Sequence, residues 1–70
     1  MIIETKKSII NCGNITQIIK QGDSNLVFSA IGRTFTIFYK DAVSRDDAFN
    51  AIIGEWGHTA VYIDISGYEV

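Results

Sequence analysis

Few side chains in this sequence could do chemistry, and none stands in a known catalytic arrangement. Nucleophilic catalysis needs a thiol or hydroxyl beside a base that a third group orients. Cys12 is the one cysteine and His58 the one histidine, and Asp64 is a candidate to orient the imidazole. Cys12 falls in the turn-forming run 11–14, where the sequence is compatible with either an exposed or a buried side chain, and His58 suits a helix C-terminal cap better than a catalytic base. We predict no enzyme and no catalytic residues, with a Cys12–His58 dyad as the alternative.

The acidic residues do not form a clear metal or acid–base site. Asp46 and Asp47 are adjacent and Asp41 lies near them, but carboxylates at the start of a predicted helix are expected as capping charges. A divalent-ion site or an acid–base pair is the alternative. One cysteine and one histidine cannot supply the usual zinc ligands, and no glycine-rich phosphate-binding motif occurs. The sequence therefore predicts neither a metal nor a cofactor.

Length and charge restrict the class of protein. The 70 residues suit a single domain over 1–70, and 47% hydrophobic residues indicate a folded core. A lone cysteine excludes an intrachain disulfide. The net charge of −2, with no basic stripe, disfavours nucleic-acid binding. No apolar run has the length of a signal peptide or a membrane span, so we expect a soluble cytoplasmic protein.

Short β-strand patterns occupy most of the chain before residue 40. In the clearest, Phe35, Ile37 and Tyr39 alternate with Thr34, Thr36 and Phe38. Gly32 and Arg33 before it predict a tight hairpin turn. Residues 14–20 carry isoleucines at odd and even positions, which indicates a β-bulge or a strand covered on both sides. Further strands are predicted at 26–31, at 61–65 and, as one broken strand, at 2–10.

One helix is predicted from 45 to about 56. Ser44 is the predicted N-cap, with its hydroxyl accepting from the amide of Asp47, and Gly57 suits the position after the helix. The large apolar residues recur with helical spacing, at Phe49, Ile52, Ile53 and Trp56. The predicted fold class is α+β: an antiparallel sheet of four to five short strands with this helix packed on one face, in the order β-β-β-β-α-β.

The strands carry apolar side chains on both faces, but one helix can cover only one of them. The second face must then meet a sister subunit, a partner protein or a ligand, unless the sheet curls and the first strands cover it. The predicted interaction surface comprises Val27, Ile31, Arg33, Phe38, Tyr62 and Tyr68.

The chain resembles a group of small proteins from low-GC Gram-positive bacteria and their phages. The resemblance rests on the run 7–11, the run 14–18, a strand ending in Tyr39, and a helix led by Ser44 with Ala48 and Ile52; it spans about residues 7–53. Members of this group are built as a β-meander followed by a helix. The tail 56–70 departs from the pattern. The resemblance implies no catalytic residues, but it implies a phage or mobile-element origin, where small proteins often bind host machinery.

We therefore expect a non-enzymatic binding protein that acts through a protein–protein surface. Its concrete form is a phage-type inhibitor or modulator of a bacterial host protein, such as a defence protein, and we expect a homo-oligomer. The alternative is an oligomeric protein that binds or sequesters a nucleotide between subunits. In that case Arg33, Lys6 or Lys7 meets a phosphate and an aromatic ring stacks on the base. No membrane partner is expected.

Overall fold

The computed structural model describes residues 1–56 and 62–70, which form one helix and two sheets of three short strands. The α+β class is confirmed. The predicted single sheet of four to five strands, and the order β-β-β-β-α-β, are wrong. In the part of the chain that is described, five strands precede the helix and one follows it: β1 Ile2–Glu4, β2 Ile9–Asn11, β3 Ile15–Gln21, β4 Asn25–Ala30, β5 Arg33–Phe38, α1 Ala42–Glu55 and β6 Tyr62–Asp64.

The first sheet, which we call the mixed sheet, has the order β2–β1–β6. Strand β1 pairs antiparallel with β2 and parallel with β6. The predicted broken strand at 2–10 is in fact two strands, because Thr5 closes a turn between them. The Thr5 hydroxyl oxygen accepts the amides of Ser8 at 3.0 Å and Lys7 at 3.3 Å, and the Thr5 amide donates to the Ser8 carbonyl at 2.9 Å. A buried threonine thus turns the chain back on itself.

The second sheet, the meander sheet, has the order β3–β4–β5 and is antiparallel throughout. The predicted hairpin is confirmed, but its two-residue turn is Ile31 and Gly32, because Arg33 already pairs with Ala30. Gly32 has φ 80°, a conformation that favours glycine. The predicted bulge is also confirmed, as a register shift between Ile15 and Gln17. The extra residue lets Ile15 and Ile18 share one face, although they are three positions apart.

The helix begins one turn earlier than predicted, and its N-cap is Asp41 rather than Ser44. The Asp41 carboxylate accepts the amide of Ser44 at 2.7 Å, and this hydrogen bond lowers the pKa of Asp41. The spacing from Asp41 to Ser44 satisfies capping as well as that from Ser44 to Asp47. The position of Tyr39 selects Asp41 as the N-cap, because the Tyr39 amide donates to the carbonyl of Ser24 and Tyr39 pairs with Glu69. The strand path therefore ends beside Asp41, the first capping side chain available.

The buried face of α1 is rotated from the predicted apolar stripe. Arg45, Ala48 and Ile52 are its buried residues, whereas Ile53 and Trp56 expose 54% and 47% of their surface. The rotation follows from Arg45, whose guanidinium reaches under the β3–β4 turn. There Nη1 donates to the main-chain oxygen of Asn25 at 3.1 Å.

The core lies where the two sheets and the helix meet. Leu26 and Phe28 from the meander sheet and Ile3 from the mixed sheet are fully buried, and Ile65 joins them after β6. Phe28 also stacks on Phe35, with ring centroids 5.2 Å apart. The predicted roles of Gly57 and His58 after the helix, and of Val61 in the last strand, lie outside the described residues.

Candidate protein-binding surface

The outer face of the meander sheet carries no charged side chain. Cross-strand partners share a face, and the register puts nine uncharged residues on the side away from α1. Three are apolar: Ile19, Val27 and Phe38. Val27 is half-buried between its neighbouring strands, but Ile19 exposes 41% and Phe38 exposes 61% of its surface. The other six are neutral and polar: Gln17, Gln21, Asn25, Ser29, Thr34 and Thr36. Depletion of charge is typical of the central part of protein interfaces.

The six predicted surface residues do not form one surface. Val27 and Phe38 lie together on the outer face of the meander sheet. Ile31 and Arg33 are exposed at the β4–β5 hairpin tip. Tyr62 lies on the outer face of the mixed sheet, where its hydroxyl donates to Glu4, and that hydrogen bond raises the pKa of Tyr62 to about 12.

Tyr68 is half-buried and packs against the core, so it is unsuited to a binding surface. Ile19 belongs to the outer face but was not predicted. The doubled pattern of residues 14–20 indicated the bulge, and the register beyond the bulge assigns Ile19 to the same side as Val27.

A trough runs along the free edge of β5, opposite the mixed sheet. One part, of about 430 Å³, has walls from the β1–β2 turn and from residues 35–38, and Glu69 and Val70 lie at its end. A second part, of about 330 Å³, shares Ser8 and Phe35 with the first, and from Arg33 it crosses the inner face of the meander sheet to Ala30 and Ile15, opposite β2. Lys6 and Lys7 lie on the wall facing β5. Basic side chains thus stand along an open strand edge.

A smaller apolar groove of about 250 Å³ lies between β3 and the end of α1. Its walls include Ile15, Ile18, Phe49, Ile53 and Trp56. The bulge in β3 brings the first two of these side chains to the same side. The ammonium of Lys20 lies over the ring of Phe49, 4.9 Å from the ring centre. The groove explains the exposed apolar residues at this end of the helix without placing a reactive group among them.

The potential nucleophile is poorly placed for catalysis. Cys12 is buried, in a short 3₁₀ turn over Cys12–Asn14, and burial raises the pKa of its thiol. A thiol with a raised pKa stays protonated at neutral pH and is a weak nucleophile. Residues 1–56 and 62–70 bring together no cluster of three or more histidine, cysteine or acidic side chains that could hold a metal ion.

No helix in the described ranges has the length and apolar character needed to cross a membrane. In comparisons with known proteins, the chain matches no family model, no curated protein and no solved structure.

Proposed function

We propose that this protein is a non-enzymatic binding protein that acts through the outer face of its meander sheet. The observation that carries the proposal is the nine-residue uncharged face around Ile19, Val27 and Phe38, which no element of the described chain covers. Charged side chains make up about 25–35% of the surface of a well-behaved soluble domain, and this face has none. Removing water from a face without charges costs little free energy, because neutral side chains have smaller desolvation penalties than ions.

The occupant of this face is another protein rather than a small ligand. The face is the side of a three-stranded sheet, whereas small-molecule sites are concave. The concrete form of the proposal is an inhibitor or modulator of a bacterial host protein, such as a defence protein. The resemblance to small phage proteins supports this form. The proposal also includes assembly into a homo-oligomer and a cytoplasmic location.

The test places a carboxylate on the face and an equivalent one elsewhere. Ile19→Glu puts a charge in the middle of the surface, and Val43→Glu puts the same group at an exposed position in the first turn of α1. Each tagged variant is used to capture proteins from a Gram-positive bacterial lysate, with light scattering to measure oligomer size. We expect one host protein recovered near stoichiometry, at least tenfold less with Ile19→Glu, and no loss with Val43→Glu.

Two results would count against the proposal. Equal recovery with both variants would show that the partner binds elsewhere. Recovery of the protein alone, as an oligomer that Ile19→Glu dissociates, would show that the face joins two copies and that the host-protein form is wrong.

A second candidate function is binding of a nucleotide. One observation favours it: Arg33 and Phe35 are walls of the same cavity, whose volume of about 330 Å³ is at the lower end for ligand sites. A nucleotide present at 100 times its Kd would add about 2.7 kcal/mol to the free energy of unfolding. Thermal-shift measurements with nucleoside mono-, di- and triphosphates test this, with Arg33→Met expected to abolish any shift. The absence of a shift at millimolar nucleotide would exclude the candidate.

A further inference from the structure

The free edge of β5 has hydrogen-bonding groups that can be assigned from the ladder. In an antiparallel pair, successive residues direct their N–H and C=O groups alternately toward the partner strand and away from it. The carbonyl of Phe38 accepts the amide of Val70 at 3.4 Å, so the backbone N–H and C=O groups of Phe38 point away from β4. Counting back by two, the groups of Thr36 and Thr34 point the same way. No backbone group in residues 1–56 or 62–70 pairs with them.

The chain already places a short acidic segment, Glu69 and Val70, at one end of this edge. Glu69 forms an antiparallel bridge with Tyr39, and its carboxylate accepts the backbone amide of Lys6 at 2.8 Å. The Lys6 ammonium donates to the main-chain oxygen of Val70 at 2.9 Å. The segment therefore lies between β5 and the β1–β2 turn, with its backbone on the strand edge and its acid on the turn. Toward Arg33, the outward backbone groups of β5 have no partner among the described residues.

Two cations face the unoccupied part of the trough. Lys7 and Arg33 are exposed in its walls, and the salt bridges found among the described residues involve Lys20 and Arg45 instead. An edge strand flanked by unpaired cations repels basic segments and attracts acidic ones. The exposed edge over 33–37 is five residues long, which sets the length of strand that can pair with it.

We infer that the β5 edge binds an extended acidic peptide segment of a partner protein by strand addition. The segment runs antiparallel to β5, in the direction that Glu69 and Val70 already follow, and exchanges backbone hydrogen bonds with Thr34 and Thr36. Its acidic side chains meet Lys7 and Arg33. Backbone pairing of this kind supplies affinity, and the flanking side chains supply specificity.

This inference names the chemistry of a partner and rests on the proposed function only in requiring a protein partner. It uses a different surface: the strand edge and trough rather than the outer face with Ile19.

The experiment uses a fluorescent, N-acetylated peptide, EVTVEV, and its basic counterpart KVTVKV, with binding to the whole protein followed by fluorescence anisotropy. We expect the acidic peptide to bind at least tenfold more tightly. The double variant Lys7→Glu/Arg33→Glu should reverse that preference, since each surface ion pair changes affinity by up to about fivefold. Lys40→Glu reverses one cation outside the trough walls, which is half the net-charge change of the double variant, and it should leave the ratio of the two affinities nearly unchanged.

A second measurement locates the peptide. Amide hydrogen exchange of Thr34 and Thr36 should slow when the acidic peptide is bound, and the amides of Ile19 and Val27 should be unaffected. Thr36→Pro removes an outward amide that the ladder with β4 does not use, and it should weaken binding of the acidic peptide at least tenfold. Circular dichroism checks that this variant is folded. The exchange data on the unmodified chain decide the matter if Thr36→Pro does not fold.

Three outcomes of the peptide measurements would overturn the inference. They are equal binding of the two peptides, no binding of the acidic one at millimolar concentration, and protection confined to the outer face. A dimer that Thr36→Pro dissociates would assign the edge to a second copy and would also overturn it. The proposed function is tested separately, with Ile19→Glu on the outer face, so the result with the acidic peptide does not decide it.

Discussion

Replacing Arg45 by methionine tests how far the attachment of the helix depends on one buried cation. Its Nη1 donates to the main-chain oxygen of Asn25 at 3.1 Å and more weakly to that of Gly22 at 3.5 Å. Hydrogen bonds to charged groups contribute about 1.5–3 kcal/mol. Methionine keeps the apolar stem but leaves the Asn25 carbonyl without this donor. We therefore expect the free energy of unfolding to fall by about 2 kcal/mol.

That loss is large for a chain of 70 residues, whose total stability is about 4–10 kcal/mol. It corresponds to a decrease in Tm of about 8–16 °C. Urea unfolding followed by circular dichroism measures the free energy, and a thermal scan measures Tm. Lys40→Met, which removes an exposed cation, should change the stability by less than about 0.5 kcal/mol. Arg45→Lys should recover only part of the loss, because a lysine lacks the forked donors.

The reasoning would be refuted if Arg45→Met unfolded at the same urea concentration as the unmodified chain. The desolvation of the buried guanidinium would then offset its hydrogen bonds. The helix would in that case be held by apolar packing, in which Ala48 and Ile52 are its buried residues.

Three further predictions follow from individual side chains. Tyr39→Phe should raise the free energy of unfolding by about 1 kcal/mol, because its buried hydroxyl has no hydrogen-bond partner in the described chain. Burial raises the pKa of Tyr39 above its ordinary value of 10.0, so ionisation of this side chain favours the unfolded chain as the pH rises above 10. The variant lacks this ionisation and should resist alkaline unfolding better. Gly54→Ala should stabilise the protein by about 0.5–1 kcal/mol, since nothing lies near the added methyl group, whereas Gly32→Ala should destabilise it because φ there is 80°. Asp41→Ala should lower the urea midpoint and Ser44→Ala should not. Because the pKa of Asp41 is lowered in the folded chain, the stability that its carboxylate contributes is present above about pH 4 and is lost as the pH falls through the folded-state pKa.

Each of these predictions has a clear contrary result. A destabilised Tyr39→Phe would mean that the hydroxyl is satisfied by water. A destabilised Gly54→Ala would mean that the end of α1 has no room for a methyl group. An equal loss for Asp41→Ala and Ser44→Ala would mean that both side chains cap the helix in solution. Urea unfolding at pH 7 measures all three, and the Tyr39 and Asp41 variants are also followed against pH.

Local patterns in the sequence are sufficient for much of the meander sheet. The alternation of Phe35 and Ile37 places both on the inner face because side chains in a strand alternate regardless of what covers them. Gly32 marks the hairpin because few other residues adopt its φ. The bulge near Thr16 follows from apolar residues that cannot otherwise share one face. These features depend on residues close together in the chain.

The candidate binding surface was predicted only in part. Val27 and Phe38 are on the uncharged face, because their side of each strand follows from alternation. Tyr62 and Tyr68 are not, because aromatic type alone does not determine which sheet a residue joins or whether the core covers it. The trough along β5 could not be predicted at all, since it depends on Glu69 and the β1–β2 turn meeting a strand about thirty residues from either of them.

The sequence by itself determined the α+β class, the meander and the presence of the helix α1. Only the tertiary structure decided that β1 pairs with β6 to make a second sheet, that Asp41 rather than Ser44 starts the helix, and that Arg45 belongs to its buried face. The physical reason is the same in each case. Strand pairing and burial between distant segments are selected by the total energy of the packed chain, and several local alternatives of nearly equal energy satisfy the same short pattern.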